Sequence, residues 1–359
     1  MASLDELRDR IDALDTQLVR LINERAQAAS EIGAIKASSG TAVYAPDREH
    51  AILERVTEMS AGPISNRSIL AIYRELMSAS FALEQPPRIA FLGPKGSFSH
   101  EAALGKFGAS VEYESITDIR GVFEEIARGH VTYGVVPVEN NSAGAVADTL
   151  DSFTEHNVHI CSEIQRAVHQ NLLARCRLDE IDVVFSKPEA FAQCQRWLAE
   201  TGLASKTSPV SSTSRAAQMA AEQPGSAAIG GRLASKLYDV PVIAGNIEDV
   251  PGNATRFFVI GHESAKPTGS DRTSLSFVTA HHAGALVEVL LVFQKSGINM
   301  TMITSRPSQK ADLAYHFFVD IDGHVADSPV KRAIEDAKEH CQQIRVLGSY
   351  PRSTEVADA

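Results

Sequence analysis

Arg25 falls where a run of apolar residues at helical spacing calls for one more apolar side chain. A guanidinium buried there is costly unless an anion pairs with it. Lys36 returns to the same helix face about three turns on. Arg48 and Glu49 open the next helical stretch, Ser80 interrupts the apolar face of a third, and Glu84 lies one turn beyond Ser80 on the same side. Internal salt bridges such as Arg25 with Glu84 are one use of these groups. An anion cage is the other, and it suits the whole set because cations outnumber acids on these faces. Arg and Lys donors in a dry pocket can hold carboxylates and stabilise charge developing on an oxygen, without a nucleophile or a metal.

The middle of the chain places small polar groups where strands end. Gly93-Pro94-Lys95-Gly96-Ser97-Phe98-Ser99 follows a short apolar strand and opens a helix, a place for backbone N–H groups to hold a carboxylate. It lacks the spacing of a phosphate-binding Walker loop. Val136-Pro137-Val138-Glu139-Asn140-Asn141-Ser142 also follows a strand, and Ser186, Gln193, Thr213 and Asn253-Ala254-Thr255-Arg256-Phe257-Phe258 add further candidates. Singly these are caps and turn residues; Thr213 suits the N-cap of the helix that follows. Arg256 can pair a substrate carboxylate or form a salt bridge within its own lobe.

The elements that must position these groups fall into three blocks. Leu4, Leu7, Ile11, Leu14, Leu18 and Leu21 form one apolar stripe on a helix predicted over residues 4–37, roughly 50 Å long at ~1.5 Å per residue. A block of about 85 residues cannot cover so long a seam, so a partner chain is expected there. Pro46 begins a second helix, with Asp47 and Glu49 at its positive end. A third starts near Ser65, with Ile69, Ile72, Leu76, Ser80 and Leu83 on one face. After Glu84-Gln85-Pro86-Pro87-Arg88, strands at 89–92, 133–136, 181–185 and 227–229 alternate with helices at 190–198 and 215–221, which predicts a mostly parallel sheet covered on both faces. Residues 262–271 read as a linker. The last block reads strand 274–279, helix 283–295, strand 298–305, strand 314–321, helix 330–341, strand 343–347, the ferredoxin-like βαββαβ order.

Composition sets the bounds. Hydrophobic content of 44% and charged content of 22% allow a large core with no disulfide framework. A net charge of −11 argues against nucleic acid or an anionic membrane as the main partner, though not against small anions. The four cysteines form no C-x-x-C pair, so no zinc site, redox dithiol or other cofactor is expected, and the chain is expected in the cytoplasm. No signal peptide or membrane span is seen.

Three resemblances follow from these motifs. Residues 4–84 resemble the all-helical chorismate mutase family through Leu7-Arg8, Asn23-Glu24-Arg25, Ile35-Lys36, Pro46-Asp47-Arg48-Glu49 and Ser78-Ala79-Ser80. That implies that Arg25, Lys36, Arg48 and the partner subunit's Arg8 hold the carboxylates and ether oxygen of chorismate. Glu49 would bind its ring hydroxyl, with Ser80 and Glu84 completing the pocket. Glu84 stands where some members carry a donating Gln, and Glu donates only when protonated; burial is expected to keep it neutral, so that mutase activity falls as pH rises. Ala45 replaces an acid found in some members, with little effect expected.

Residues 88–261 resemble the prephenate dehydratase family through Gly93-Pro94-x-Gly96-Ser97-Phe98-Ser99, Pro137-Val138-Glu139-Asn140-Asn141-Ser142, Ala192-Gln193-Cys194, Ile247-Glu248-Asp249 and Asn253-x-Thr255-Arg256-Phe257. This implies two α/β lobes like those of periplasmic binding proteins, with crossings near residues 165–170 and again late. Thr255 would donate to the departing hydroxyl, and Glu139, Asn140, Ser186, Gln193, Thr213 and Arg256 would bind prephenate. Lys187 and Glu189 replace the more usual His and Gln.

Residues 272–352 resemble the ACT domain through Gly284-Ala285-Leu286, Ser305-Arg306-Pro307 and Val346-Leu347-Gly348-Ser349-Tyr350-Pro351-Arg352. These marks imply phenylalanine as an inhibiting effector at Gly284, Ala285, Leu286, Ser305 and Arg306. Thr304 replaces the usual Glu, which bears on the strength of inhibition. His281-His282 is expected to be a plain loop rather than a metal site. The combined expectation is a multidomain homodimer or higher homo-oligomer with domains at 1–85, 88–262 and 272–352. It turns chorismate into prephenate and then phenylpyruvate. A ligand sensor without catalysis, and a dehydratase preferring arogenate, are the alternatives.

Overall fold

The computed structural model describes residues 2–39, 44–84, 86–280, 282–307, 315–353 and 356. It forms two compact units, residues 1–88 with 106–112, and residues 89–105 with 113–359. In the first unit the helices are α1 (Leu4–Ser39), α2 (Pro46–Met59) and α3 (Asn66–Glu84). A reciprocal cap starts α1: Ser3 N donates to Glu6 Oε2 at 2.7 Å and Glu6 N to Ser3 Oγ at 3.1 Å. Pro46 occupies the first turn of α2, and Ser65 Oγ accepts from Ser68 N at the start of α3.

The apolar stripe of α1 lies exposed in the single chain; Leu4, Ile11 and Leu18 retain 63%, 55% and 55% of their surface. The buried residue of α1 is Gly33. A Cβ on Gly33 would stand 2.9 Å from the Cα of Glu84, so this glycine is what lets α1 and α3 approach. Along the expected face of α3, Ser80 is buried and Ile69 and Leu76 are half-buried, while Ile72 and Leu83 are exposed in the single chain. Met77 and Ser78 are buried as well, and Ser78 accepts a hydrogen bond from Ser110 N at 3.0 Å.

Along the chain there follow β1 (Arg88–Leu92), α4 (Phe98–Phe107), whose end belongs to the first unit, β2 (Glu112–Ile116), α5 (Ile119–Ala127), β3 (Tyr133–Asn140), β4 (Gly144–Ala145), α6 (Ala147–Glu155), β5 (His159–Ala167), β6 (Asn171–Ala174), β7 (Val183–Ser186), α7 (Pro188–Gln193), α8 (Gln195–Glu200), β8 (Thr207–Pro209), α9 (Thr213–Glu222), β9 (Ser226–Gly230), α10 (Arg232–Tyr238), β10 (Val242–Ala244) and β11 (Ala254–Gly261). These make two lobes, one around the sheet β2-β1-β3-β11-β5 and one around β10-β6-β9-β7-β8. The chain crosses between them after β5 and again before β11, as expected. The sheets are mixed rather than mostly parallel. β11 returns from the far lobe and runs antiparallel to both β3 and β5, and β6 runs antiparallel to β9. The helix expected over 190–198 is divided at Cys194.

The C-terminal module is β12 (Asp271–Thr279), α11 (Ala285–Lys295), β13 (Met300–Pro307), β14 (Tyr315–Asp322), α12 (Ser328–Lys338) and β15 (Cys341–Pro351), with sheet order β13-β14-β12-β15. This is the βαββαβ arrangement read from the sequence; Ala314, the expected start of its third strand, lies outside the described residues. The helices cover one sheet face, burying Phe277, Phe293 and Val319. The other face joins the first lobe, where Phe318, Leu347 and Tyr350 share a core with Phe123, Phe153 and Phe258. Gly348 permits this approach, since a Cβ there would run into the backbone of Ile160 on β5. The stretch 262–270 therefore has no regular structure, yet it does not separate compact units.

Candidate active sites

In the helical unit, α1 and α3 bring two pairs together. Arg25 Nη1 donates to Ser80 Oγ at 2.7 Å and to the Leu76 carbonyl at 3.3 Å, and Ser80 Oγ donates to that same carbonyl. One turn further, Lys36 Nζ lies 3.4 Å from Glu84 Oε2, whose side chain is only 7% exposed. Glu84 thus pairs with Lys36, not with Arg25. In this pairing Glu84 Oε2 accepts from Lys36 Nζ. Glu49 is buried at the start of α2, and its Oε2 accepts from Tyr44 Oη at 2.9 Å and is ion-paired with Lys106 Nζ at 2.7 Å. Arg8 and Arg48 are exposed in the single chain. Among the described residues Arg8 makes a 3.5 Å surface contact with Asp5.

In the two-lobed region the antiparallel register sets Thr255 on β11 opposite Asn140 on β3 and Arg166 on β5. Opposed residues share a face. Asn140 Oδ1 accepts from Ser142 N at 2.9 Å and Ala143 N at 3.1 Å, which fixes the amide so that its Nδ2 faces Thr255. That Nδ2 donates to Thr255 Oγ1 at 2.8 Å and to Asn253 Oδ1 at 3.0 Å. With its oxygen accepting, the hydroxyl of Thr255 keeps its proton for another acceptor. Glu139 is the register partner of Arg256, so it lies on the opposite face of the sheet from Asn140 and Thr255, a correction to its expected place among the substrate ligands.

The Gly93–Ser99 turn spends part of its donors internally: Gly96 N bonds His100 Nδ1 at 3.0 Å and Ser97 N bonds the Pro94 carbonyl. Burial, then the charge of Lys95, lowers the His100 pKa, consistent with a neutral ring accepting at Nδ1. Gly96, at φ +85°, lets the turn approach the second lobe, where Ser214 Oγ donates to the Lys95 carbonyl.

On the second lobe Ser186 is fully buried and donates to the Ile229 carbonyl at 2.8 Å. Gln193 Oε1 accepts from Gln170 Nε2 at 3.0 Å. Thr213 begins α9, but the N-cap is Ser212, whose hydroxyl accepts from Arg215 N, so the cap expected at Thr213 is one residue earlier. Lys187 and Glu189 face solvent 3.9 Å apart. Near the crossings, Glu248 holds His169 Nδ1 at 2.7 Å and Gln170 N at 3.0 Å.

Arg256 requires correction as a substrate ligand. Its guanidinium bonds Glu163 at 2.7 Å, Asp320 at 2.5 Å and Tyr350 Oη at 2.9 Å, and stacks 4.8 Å from the Phe258 ring centroid. On this strand Arg256 points away from Thr255, toward the C-terminal module. Sequence reasoning missed Arg166 and Gln170. Arg166 is mostly buried against Glu101 at 2.9 Å, and among the described residues neither its Nε nor Gln170 Oε1 has a hydrogen-bond partner.

In the C-terminal module Gly284 precedes α11 at φ +93° and Ala285 is buried, with Leu286 packed against the module core. Ser305 lies opposite Phe317, whose side chain belongs to the helix-side core. Arg306 points the other way and grips Asp151 of α6 through Nε–Oδ1 at 3.1 Å and Nη2–Oδ2 at 2.7 Å. The structure therefore does not bring Arg306 to Gly284, because adjacent strand residues face opposite sides. His282 lies 3.9 Å from Glu288, while His281 is outside the described residues.

Comparison with known proteins adds to this geometry. Residues 7–85 match the family Chorismate mutase type II, and residues 89–265 match Prephenate dehydratase. A bifunctional chorismate mutase/prephenate dehydratase of Stutzerimonas stutzeri is 41% identical over 98% of each chain. The prephenate dehydratase of Arthrobacter aurescens, solved in complex with L-Phe, is 30% identical, covering 75% of this chain and 92% of its own, with a TM-score of 0.70. A chain described as a quorum-quenching acylase covers 74% of this one and 98% of its own at 27% identity and a TM-score of 0.68. The fold by itself therefore does not separate reactions; the family matches and the full-length relative do.

Proposed function

The chain belongs to the bifunctional chorismate mutase/prephenate dehydratase family, and from that premise we propose how its residues divide the two reactions. It is an enzyme that rearranges chorismate to prephenate and converts prephenate to phenylpyruvate.

In the first step the ether C–O bond breaks as a C–C bond forms. Arg25 and Lys36 hold the substrate's anionic groups and the charge growing on the ether oxygen, with Arg48 and the partner subunit's Arg8 closing the cage. Glu49 accepts from the ring hydroxyl, and Ser80 and Glu84 keep Arg25 and Lys36 in place. The exposed stripe of α1 supports a homodimer, since about 25 cal/mol per Å² of apolar surface is recovered when a second copy covers it.

In the second step the ring carboxylate leaves as CO₂, its bonding electrons aromatise the ring, and the hydroxyl departs as water on taking up a proton. Thr255 donates to that hydroxyl, Asn140 aims Thr255, and Ser186, Gln193 and Thr213 lie on the cleft side of the second lobe. The observation that carries this half is the Asn140–Thr255 bond, which leaves the Thr255 proton outward.

Domains at 1–85, 88–262 and 272–352 follow, in a cytoplasmic protein. The last of these is an ACT domain where phenylalanine binds at Gly284, Ala285, Leu286 and Ser305 and inhibits the enzyme. The L-Phe bound in the Arthrobacter aurescens relative supports that effector.

The test supplies chorismate alone and follows its loss together with phenylpyruvate, with and without phenylalanine. Both signals are expected, and phenylalanine slows the second. Prephenate that accumulates and is never consumed would remove the dehydratase assignment and call for arogenate as substrate.

A further inference from the structure

Glu49 carries an asymmetry that the family segment does not explain. Both of its polar partners among the described residues meet one oxygen. Oε2 accepts from Tyr44 Oη at 2.9 Å and is ion-paired with Lys106 Nζ at 2.7 Å, while Oε1 meets neither. The carboxylate is 8% exposed and the Lys106 side chain 20%. Lys106 lies beyond residue 85, where the mutase match ends, yet it groups with the helical unit.

Its position is built rather than incidental. The ammonium sits 5.8 Å from the Tyr44 ring centroid. Tyr44 is itself buried edge-on to Phe81 and tilted against Phe107. The turn after Phe107 is tied to α3 twice, through Ala109 N to Glu75 Oε2 at 3.1 Å and Ser110 N to Ser78 Oγ at 3.0 Å. Gly108, at φ +72°, makes the close approach to Ser78 possible. A carboxylate this buried needs a cation, and one whose hydroxyl donor and cation both meet a single oxygen is held in rotation with the other oxygen's lone pairs open.

We propose that Lys106, with Tyr44, is a positioning residue of the mutase site, holding Glu49 through Oε2 so that Oε1 receives the ring hydroxyl of chorismate. This rests on the assignment of Glu49 to that hydroxyl. The hydroxyl is present in substrate and transition state alike, so its contact contributes uniform binding and its loss appears in KM.

Lys106→Met in the full chain is expected to raise the chorismate KM about tenfold with kcat within about twofold, the scale of one charge-assisted hydrogen bond. Lys106→Arg recovers most of the loss. Prephenate turnover by the same variant stays at the parental rate and reports that the chain is folded. A chorismate analogue with hydrogen in place of the ring hydroxyl separates positioning from packing, because parent and Lys106→Met should bind it equally.

An unchanged KM for chorismate in Lys106→Met overturns the inference. So does an equal loss of affinity for the analogue, which would make Lys106 a packing residue. Glu49→Ala distinguishes the premise. If it leaves chorismate binding intact, the Glu49 assignment fails; if it weakens binding while Lys106→Met does not, only the role of Lys106 fails.

Discussion

At the scale of the residue, the dehydratase chemistry rests on how one hydroxyl is aimed. The Asn140 amide is pinned by two backbone N–H groups and spends an N–H on Thr255 Oγ1, so Thr255 serves as donor. Thr255→Ala is expected to lower dehydratase kcat at least tenfold while the mutase persists, roughly the lower range for a positioned proton donor. Equal loss of both activities would indicate misfolding instead. The mutase offers a test with the opposite sign. Glu84 accepts from Lys36 on Oε2, and a carboxyl group there donates to an ether oxygen only when it carries a proton. Glu84→Gln supplies an amide donor in its only protonation state and removes a negative charge from a site that must stabilise one. Mutase kcat near pH 8 should rise, by roughly threefold or more; a fall below the parent would show that the Lys36–Glu84 pair is itself required.

At the scale of the element, the approach of α1 to α3 decides whether these pairs form at all. Gly33→Ala gains helix propensity of about 1 kcal/mol, but the new Cβ would meet the Cβ, Cγ and Cα of Glu84 at 2.7–2.9 Å. A backbone atom cannot swing aside, so the helices must part. Mutase activity should fall by about tenfold or more with prephenate turnover retained, as read from separate assays on each substrate; an unaffected mutase would mean the helices can separate at no cost. Arg25 was legible in the sequence because it breaks a helical apolar stripe, and Lys36 and Glu84 because helical spacing returns them to the faces of Arg25 and Ser80. Gly33 was not, since nothing local distinguishes a glycine that is merely tolerated from one that a neighbouring helix requires. Arg166 on β5 and Lys106 escaped for the same reason: each acquires meaning only from a side chain far along the chain, Glu101 for one and Glu49 for the other. The mixed strand directions were hidden as well, because the alternation of strands and helices does not reveal that β11 comes back from the second lobe.

At the scale of the whole molecule, the C-terminal module is joined to the first lobe by buried charge as well as by apolar packing. Glu163 and Asp320 have fully buried side chains, and Arg256 and Arg272 neutralise them. Removing Arg256 leaves two acids without their shared cation, a loss of about 3–5 kcal/mol. Two thiols can report where that loss is felt. Burial, reinforced by Glu263, pushes the Cys161 thiol up to about 12, and burial, reinforced by Asp249 and Glu248, pushes Cys194 up to about 12. At pH 8 a group with that pKa is ionised roughly once in ten thousand molecules, so neither thiol labels until its surroundings open. Cys161 lies on β5, two residues from Glu163 and beside the Ile160 backbone that Gly348 of β15 covers; Cys194 lies in the core of the other lobe. Arg256→Ala should therefore speed the labelling of Cys161 by tenfold or more while leaving Cys194 near its parental rate, with site-resolved mass spectrometry as the readout. Parallel acceleration of both thiols would mean that the two lobes and the module open as one cooperative body, and the charge network would then stabilise the whole unit rather than this junction.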